Sequence, residues 1–363
     1  MVSNNESTLF ASHLIQGDEE QIDNLISKAI VNPENLRDFF KELLCFSALY
    51  QRYSWSMDGV AFHPLIQLNA LKNLASLRLN QPSKLIAEKA IEISQKSIKS
   101  RIDNGELNIS DDELNKPLFT HEFISAIKSG DIEKAKIEAK KISMVSDNPS
   151  SVIEIIMEIG IMNMDELGAF VYSVYRSSIF SGSKNSHVFI ALLLSCLDNR
   201  QWSFDIKREN QLSDLSLFMN FALENSNLSE LNLFSTAIRL WNGECVRQTN
   251  FREGLSFWAI NRFDALSIEE SKRTSSINNS KKDIIYYIKS GNVHDLSNAL
   301  IRAQSKNEWT WPANLVELWI KSSKSLDINF DHLDSVQSLA KGADPFSMVL
   351  IAKRLIEING RSV

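Results

Sequence analysis

The sequence predicts an all-α protein made of three divergent four-helix repeat units, each a helical hairpin plus two helices, in an α-solenoid-like or compact helical array. Three observations predict it. Glycine and proline are scarce, 12 and 7 in 363 residues, which disfavours a turn-rich β protein and favours long helices. Apolar residues recur at helical offsets of three and four, and no stretch reads convincingly as an alternating strand. Finally, the segment "AIKSGDIEKA" at Ala126–Ala135 returns as "YIKSGNVHDL" at Tyr287–Leu296, and more loosely as "HLIQGDEEQI" at His13–Ile22.

The three copies align on Gly17, Gly130 and Gly291. Before the glycine stand Phe10 and Leu14, Phe123 and Ile127, or Ile284 and Ile288. After it come Ile22, Ile26 and Ala29, then Ala135, Ala139 and Ile142, then Leu296, Leu300 and Ala303. Each set traces one apolar face on each of two helices. A glycine between them suits a left-handed helix C-terminus, and the following Asp18, Asp131 or Asn292 suits the next N-cap. Further on come Pro33, Pro149 and Pro312, each at the expected start of a third helix: "LRDFFKELLCFSALY", "VIEIIMEIGIM" and "LVELWIKSS". The last landmark is His63-Pro64, His187-Val188 or Asp344-Pro345. It opens the final helices "LNALKNLASL", "ALLLSCLDN" and "VLIAKRLIEI".

This order of landmarks divides the chain. Residues 1–101 hold the first unit and a connecting helix whose apolar stripe (Ala87, Ala90, Ile91, Ile98) is interrupted by Ser94. A polar linker spans 102–118, the second unit 119–200, connecting helices 201–268, a second linker 269–282 and the third unit 283–363. Within 201–268, "LSLFMNFALEN" and "LSELNLFSTAIRLW" read as helices. The layout resembles helical-repeat arrays of the tetratricopeptide or HEAT kind in a general sense. The period of about 34 residues and the Trp, Leu-Gly and Tyr pattern of tetratricopeptide units are absent.

Composition narrows the function. With 44% hydrophobic and 23% charged residues, the chain is that of a folded protein. The net charge is −6 with signs interleaved, and there is no basic stripe for nucleic acid. The N-terminus "MVSNNESTLF" lacks the pattern of a secretory signal. The apolar run Val188–Leu197 is too short for a membrane span and reads as a buried helix. Cys45, Cys196 and Cys245 share no metal spacing and suggest buried thiols in a reducing compartment. The expectation is therefore a soluble cytoplasmic protein without membrane insertion.

Motifs for chemistry are nearly absent. "SGSKNS" at Ser181–Ser186 lacks the ending of a phosphate loop. Arg247 close to Cys245 would favour a thiolate, but no histidine lies near in sequence, so an incidental or buried thiol is the reading. No cofactor is expected. His63, His187 and Asp344 hold equivalent places, and two histidines with a carboxylate form an iron-type ligand set; helix capping explains the same residues more simply. Aromatic and arginine residues recur upstream of the last helix, as Arg52, Tyr53 and Trp55 in one unit and Tyr172, Tyr175 and Arg176 in the next. Such side chains dominate interfaces, and packing between helix layers explains the same clusters. The reading placed first is a non-catalytic helical-repeat protein that binds a protein or peptide through an aromatic-rich groove of Arg52, Tyr53, Trp55, His63, Tyr175, Arg176 and His187. The alternative is an all-α enzyme or a small-molecule or metal-binding protein, with its pocket where the units meet.

Overall fold

The structure, a computed structural model, describes residues 4–96, 119–145, 150–197, 200, 202–203, 212–263, 283–322 and 329–362. Among these residues there are eighteen α-helices and one two-stranded sheet. The chain begins with α1 (Asn4–Gln16), α2 (Glu19–Ala29), α3 (Pro33–Tyr50), strands β1 (Ser54–Trp55) and β2 (Ala61–Phe62), α4 (Pro64–Ser76) and α5 (Lys84–Gln95). The middle holds α6 (Thr120–Ser129), α7 (Ile132–Val145), α8 (Ser150–Met162), α9 (Met164–Ser181), α10 (Ser186–Leu197), α11 (Met219–Asn225), α12 (Leu228–Trp241) and α13 (Gln248–Phe263). The last part is α14 (Ile284–Ser290), α15 (Val293–Lys306), α16 (Trp311–Ser322), α17 (Phe330–Gly342) and α18 (Pro345–Ser362). The expected linkers 102–118 and 269–282, and Asn148-Pro149, lie outside the described residues.

The three glycine hairpins share one backbone device. Gly17, Gly130 and Gly291 all have positive φ, at 68°, 75° and 68°. In each case the next residue donates its N–H to the carbonyl five positions back: Asp18 to His13, Asp131 to Ala126 and Asn292 to Tyr287. That residue's side chain then caps the following helix, accepting from Gln21 (3.2 Å), Lys134 (3.0 Å) or Asp295 (3.1 Å). The helix therefore stops and restarts within two residues because only the first of them tolerates the left-handed conformation. Gly291→Ala is expected to lower stability by about 1 kcal/mol, read as a lower urea midpoint with an unchanged slope. The apolar faces fall as the spacing requires: of the residues that trace them, only Ile22 is not fully buried.

Two expectations need correction. The stretches beginning at α6 and α14 each contain five described helices rather than four. The extra ones are α9 and α17, whose residues read as connections because serine, tyrosine and aspartate dilute their apolar stripes. Strand structure is also present: β1 and β2 pair antiparallel, Ser54 with Phe62 and Trp55 with Ala61. Their turn closes through Gly59 N–H to Ser56 O (3.0 Å), with Gly59 at φ 81°, a three-residue hairpin loop of the kind that needs glycine at its end.

The helices close around α4. It packs on α3 and α5 of its own part, on α9 of the middle and on α16 and α17 of the last part. Residues 65–72 of α4 are all buried, including Gln67, Asn69 and Lys72. The apolar run "SHVFIALLLSCL" forms α10, buried along its length apart from His187 and Ser195.

Candidate functional site

Gln67, Asn69 and Lys72 of α4 are buried because they meet polar partners. Asp334 of α17 accepts from Arg239 Nη1 (2.7 Å) and Asn73 Nδ2 (3.0 Å). Asp331, one turn earlier, accepts from Gln67 Nε2 (2.6 Å) and Asn232 Nδ2 (3.0 Å), and Ser335 donates to Asn232 Oδ1 (2.6 Å). Arg239 also donates to Ser338 Oγ and to the Asp334 carbonyl. This seam ties α4, α12 and α17 together, and its space is filled by the side chains themselves. Beside it, Lys72 Nζ donates to Asn69 Oδ1 (2.7 Å) and lies 4.7 Å from the centre of the Phe180 ring. Burial, together with the cations Arg176 and Arg239, pulls the Lys72 ammonium down to about 7 against the attraction of Asp334.

The sequence-predicted site residues divide among separate places. His63 is fully buried, so it belongs to no surface groove. Its Nδ1 accepts from Leu65 N–H (3.0 Å) to cap α4, and its Nε2–H donates to Gln51 O (3.0 Å). Both ring nitrogens are thus occupied by the fold. His187 is exposed in the first turn of α10, with Nδ1 against Lys184 O (3.0 Å). Asp344 is exposed and caps α18 through Phe346 N–H (2.7 Å) and Ser347 N–H (2.9 Å). Among the described residues, no group of three or more His, Cys, Asp or Glu side chains is placed to hold a metal ion.

Arg52, Tyr53 and Trp55 lie on the hairpin arm. Alternation along it sends Tyr53, Trp55, Ala61 and His63 inward and Arg52, Ser54, Val60 and Phe62 outward. The inward face is anchored: Tyr53 Oη donates to Ser195 O (2.8 Å), Trp55 stacks on Trp202 at 5.9 Å, and the Arg200 guanidinium lies 3.6 Å from the Trp55 ring centre. Trp202 is itself fixed by Nε1–H to Leu197 O (3.0 Å). The outward face is bare. Met57 at the tip is wholly exposed, and Phe62 and Val60 are 48% and 39% exposed. Three apolar side chains within six residues are thus held out on a braced support.

Tyr175 and Arg176 sit on α9, away from any single groove with the hairpin residues. Arg176 is exposed and acts on Lys72. Tyr175 lines a cleft of about 560 Å³, open to solvent, between α8, α9 and the loop leading into α13. Glu154 forms its floor: it accepts Arg247 N–H at 3.0 Å, a backbone bond from Val246, and a side-chain bond from Tyr175. Burial still raises the Glu154 carboxyl against these bonds. Cys245 is pushed up to about 11, by burial first and by Glu154 second, while the Arg247 guanidinium is engaged by Glu158. The Arg247 guanidinium thus gives the thiol no help; of Arg247, only the backbone N–H lowers the Cys245 thiol, and burial and Glu154 outweigh it. Cys45 and Cys196 are raised by burial to about 12. All three thiols are expected to react slowly with a disulfide reagent at pH 8 in the folded protein and rapidly once it is unfolded in urea. A fast native phase would contradict this.

Among the described residues no helix is long and apolar enough to cross a membrane. No protein-family model matches the chain, and no curated protein or solved structure is similar to it.

Proposed function

We propose that this is a non-catalytic, helical-repeat-derived interaction protein whose contact surface is the hairpin at 52–62. In this reading the three glycine hairpins descend from one unit, and the units have closed into a single body around α4 instead of stacking openly. Support for common descent is the identical stop-and-restart geometry at Gly17, Gly130 and Gly291. Among the described residues the hairpin belongs to one unit only, which is where a function added to a repeated scaffold would lie.

The observation that carries the reading is the contrast between the hairpin's two faces. Its inward face is locked by aromatic stacking and by the Tyr53 bond, while its outward face holds Met57, Val60 and Phe62 in water. A rigid support lowers the entropy lost on docking, and methionine, aromatic and arginine side chains are enriched at interfaces. Arg52 is exposed on the same outward side of the arm as Val60 and Phe62, whereas Arg200 is held on the inward face against Trp55. The partner is accordingly a protein with an apolar patch and a carboxylate placed to meet Arg52.

A photo-crosslinking amino acid in place of Met57 tests this in cells. The expected result is one dominant covalent adduct with another polypeptide, absent when the crosslinker replaces the exposed Lys353 of α18. Adducts of equal yield and pattern from both positions, or none from position 57, would overturn the reading.

A further inference from the structure

We infer that the cleft between α8, α9 and the loop 242–247 binds an organic cation: a primary ammonium or guanidinium group on a short apolar body. This site is separate from the hairpin surface and does not depend on it.

The cleft has the size of a small-molecule site, and its wall is uneven in character. At the floor is Glu154, 2% exposed yet reaching the cleft, with its carboxylate fixed by the Val246 and Arg247 amides and by Tyr175. Glu244 adds a second carboxylate, and no lysine or arginine lines the space. Two nearby cations are engaged elsewhere, and Arg176, exposed on α9 and felt by Tyr175, does not itself line the cleft. Arg247 grips Glu158, which Asn250 Nδ2 also approaches at 2.7 Å. Arg252 donates to Trp241 O and lies over the Trp241 ring. The two lining carboxylates disfavour an anion, whereas a cation finds a fixed carboxylate in a partly dry setting, where an ionic hydrogen bond is strongest.

The mouth supplies the second half of the argument. Val246 and Ile179 are 77% and 44% exposed, sit on different elements and both border this cleft. An apolar body between them, with its charged end on Glu154, satisfies both features at once. A nucleophilic role for Cys245 is disfavoured because its neighbour is a carboxylate and its partner is Gln248 Oε1 (2.7 Å), with no histidine among the lining residues.

The test is a titration of the full chain, followed through the backbone amide signals of Val246 and Arg247. Butylammonium is the probe, with 1-butanol and butyrate as neutral and anionic matches. Butylammonium should shift both amides saturably in the millimolar range, at least about tenfold more tightly than either control. Glu154→Gln should weaken it by about tenfold or more, and Val246→Ser, on an exposed side chain, by about threefold. Equal binding of 1-butanol, or no saturable shift by about 10 mM, would overturn the proposal, whatever the stability of the Glu154 variant. An acetyl-Gly-Lys-Gly-amide arm separates the two sources of such a cation. Tighter binding than butylammonium assigns the site to a basic side chain of a polypeptide; weaker binding assigns it to a free amine.

Discussion

Asp334→Ala is expected to destabilise the protein by about 3–5 kcal/mol, the usual penalty for breaking a buried ion pair from one side. Asp334 is 5% exposed, and its carboxylate receives both Arg239 and Asn73. Removing it leaves the Arg239 guanidinium in the seam with its charge uncompensated, next to Lys72 and Lys341, two further cations that feel the same carboxylate. The effect should reach distant parts of the chain, because the pair joins α12 to α17 and both to α4. Replacing the two partners together, as Arg239→Met with Asp334→Leu, should recover most of the loss, since the desolvation of both charges disappears with them. Urea midpoints of the two singles and the double form a closed cycle. Additive losses would mean that the pair does not act as a unit.

Mild acid is the second large effect. His63 is held down to about 4 by burial, which outweighs the opposing pull of the Gln51 carbonyl. Its unfolded value lies near 6.5. Between those two pH values the unfolded chain takes up a proton that the folded chain refuses, so stability falls as pH falls. The contribution is fully present above pH 6.5 and is lost progressively toward pH 4, for a total of about 3 kcal/mol. The chemistry has a second edge. Protonation at Nδ1 destroys the acceptor that caps α4 at Leu65, so the charged ring is both desolvated and out of place. His63→Asn keeps a capping oxygen and removes the titration. Its stability should start lower at pH 7 and fall less steeply to pH 4 than that of the parent protein. Parallel pH profiles would refute the role given to His63.

The backbone logic of this fold is written in short local signals. Gly130 followed by Asp131, with Phe123 and Ile127 before and Ala135 and Ala139 after, is enough to specify a hairpin, because one glycine conformation and one capping oxygen decide it. The run at Val188–Leu197 and the paired segments at 215–225 and 228–241 were equally plain, and the structure forms helices there. Other features depend on distant partners. Gln67, Asn69, Lys72 and Asn73 look like the wet face of α4, since polarity at helical spacing usually faces solvent. Gln67, Asn69 and Lys72 are buried and Asn73 is half-buried, because Asp331 meets Gln67, Asp334 meets Asn73 and attracts Lys72, and Lys72 in turn donates to Asn69. The cleft is similar. Glu154 is a lone acid in "VIEIIMEIGIM", and its significance appears only when Val246 and Arg247 fold back over it. The hairpin left a fainter local trace. Asp58-Gly59 with alternating burial on either side is a turn signal, but strands of two residues are too short for periodicity to register.

Recurrence of tyrosine and arginine upstream of the last helix did not identify one groove. Tyr53 and Tyr175 serve different surfaces, the first bracing the hairpin from within and the second holding Glu154. Spacing from a landmark cannot distinguish these roles when one segment is a strand arm and the other is the middle of α9.

The most direct test of the interaction reading is quantitative capture with two baits, the parent chain and a Met57→Ser/Val60→Ser/Phe62→Ser variant. All three side chains are exposed, so the variant should keep the parent's thermal midpoint, each change contributing no more than about 0.5 kcal/mol. The account predicts that one protein partner, enriched near stoichiometrically by the parent, is lost from the equally stable variant. If the variant retains every partner of the parent at the same yield, the hairpin is not the contact surface.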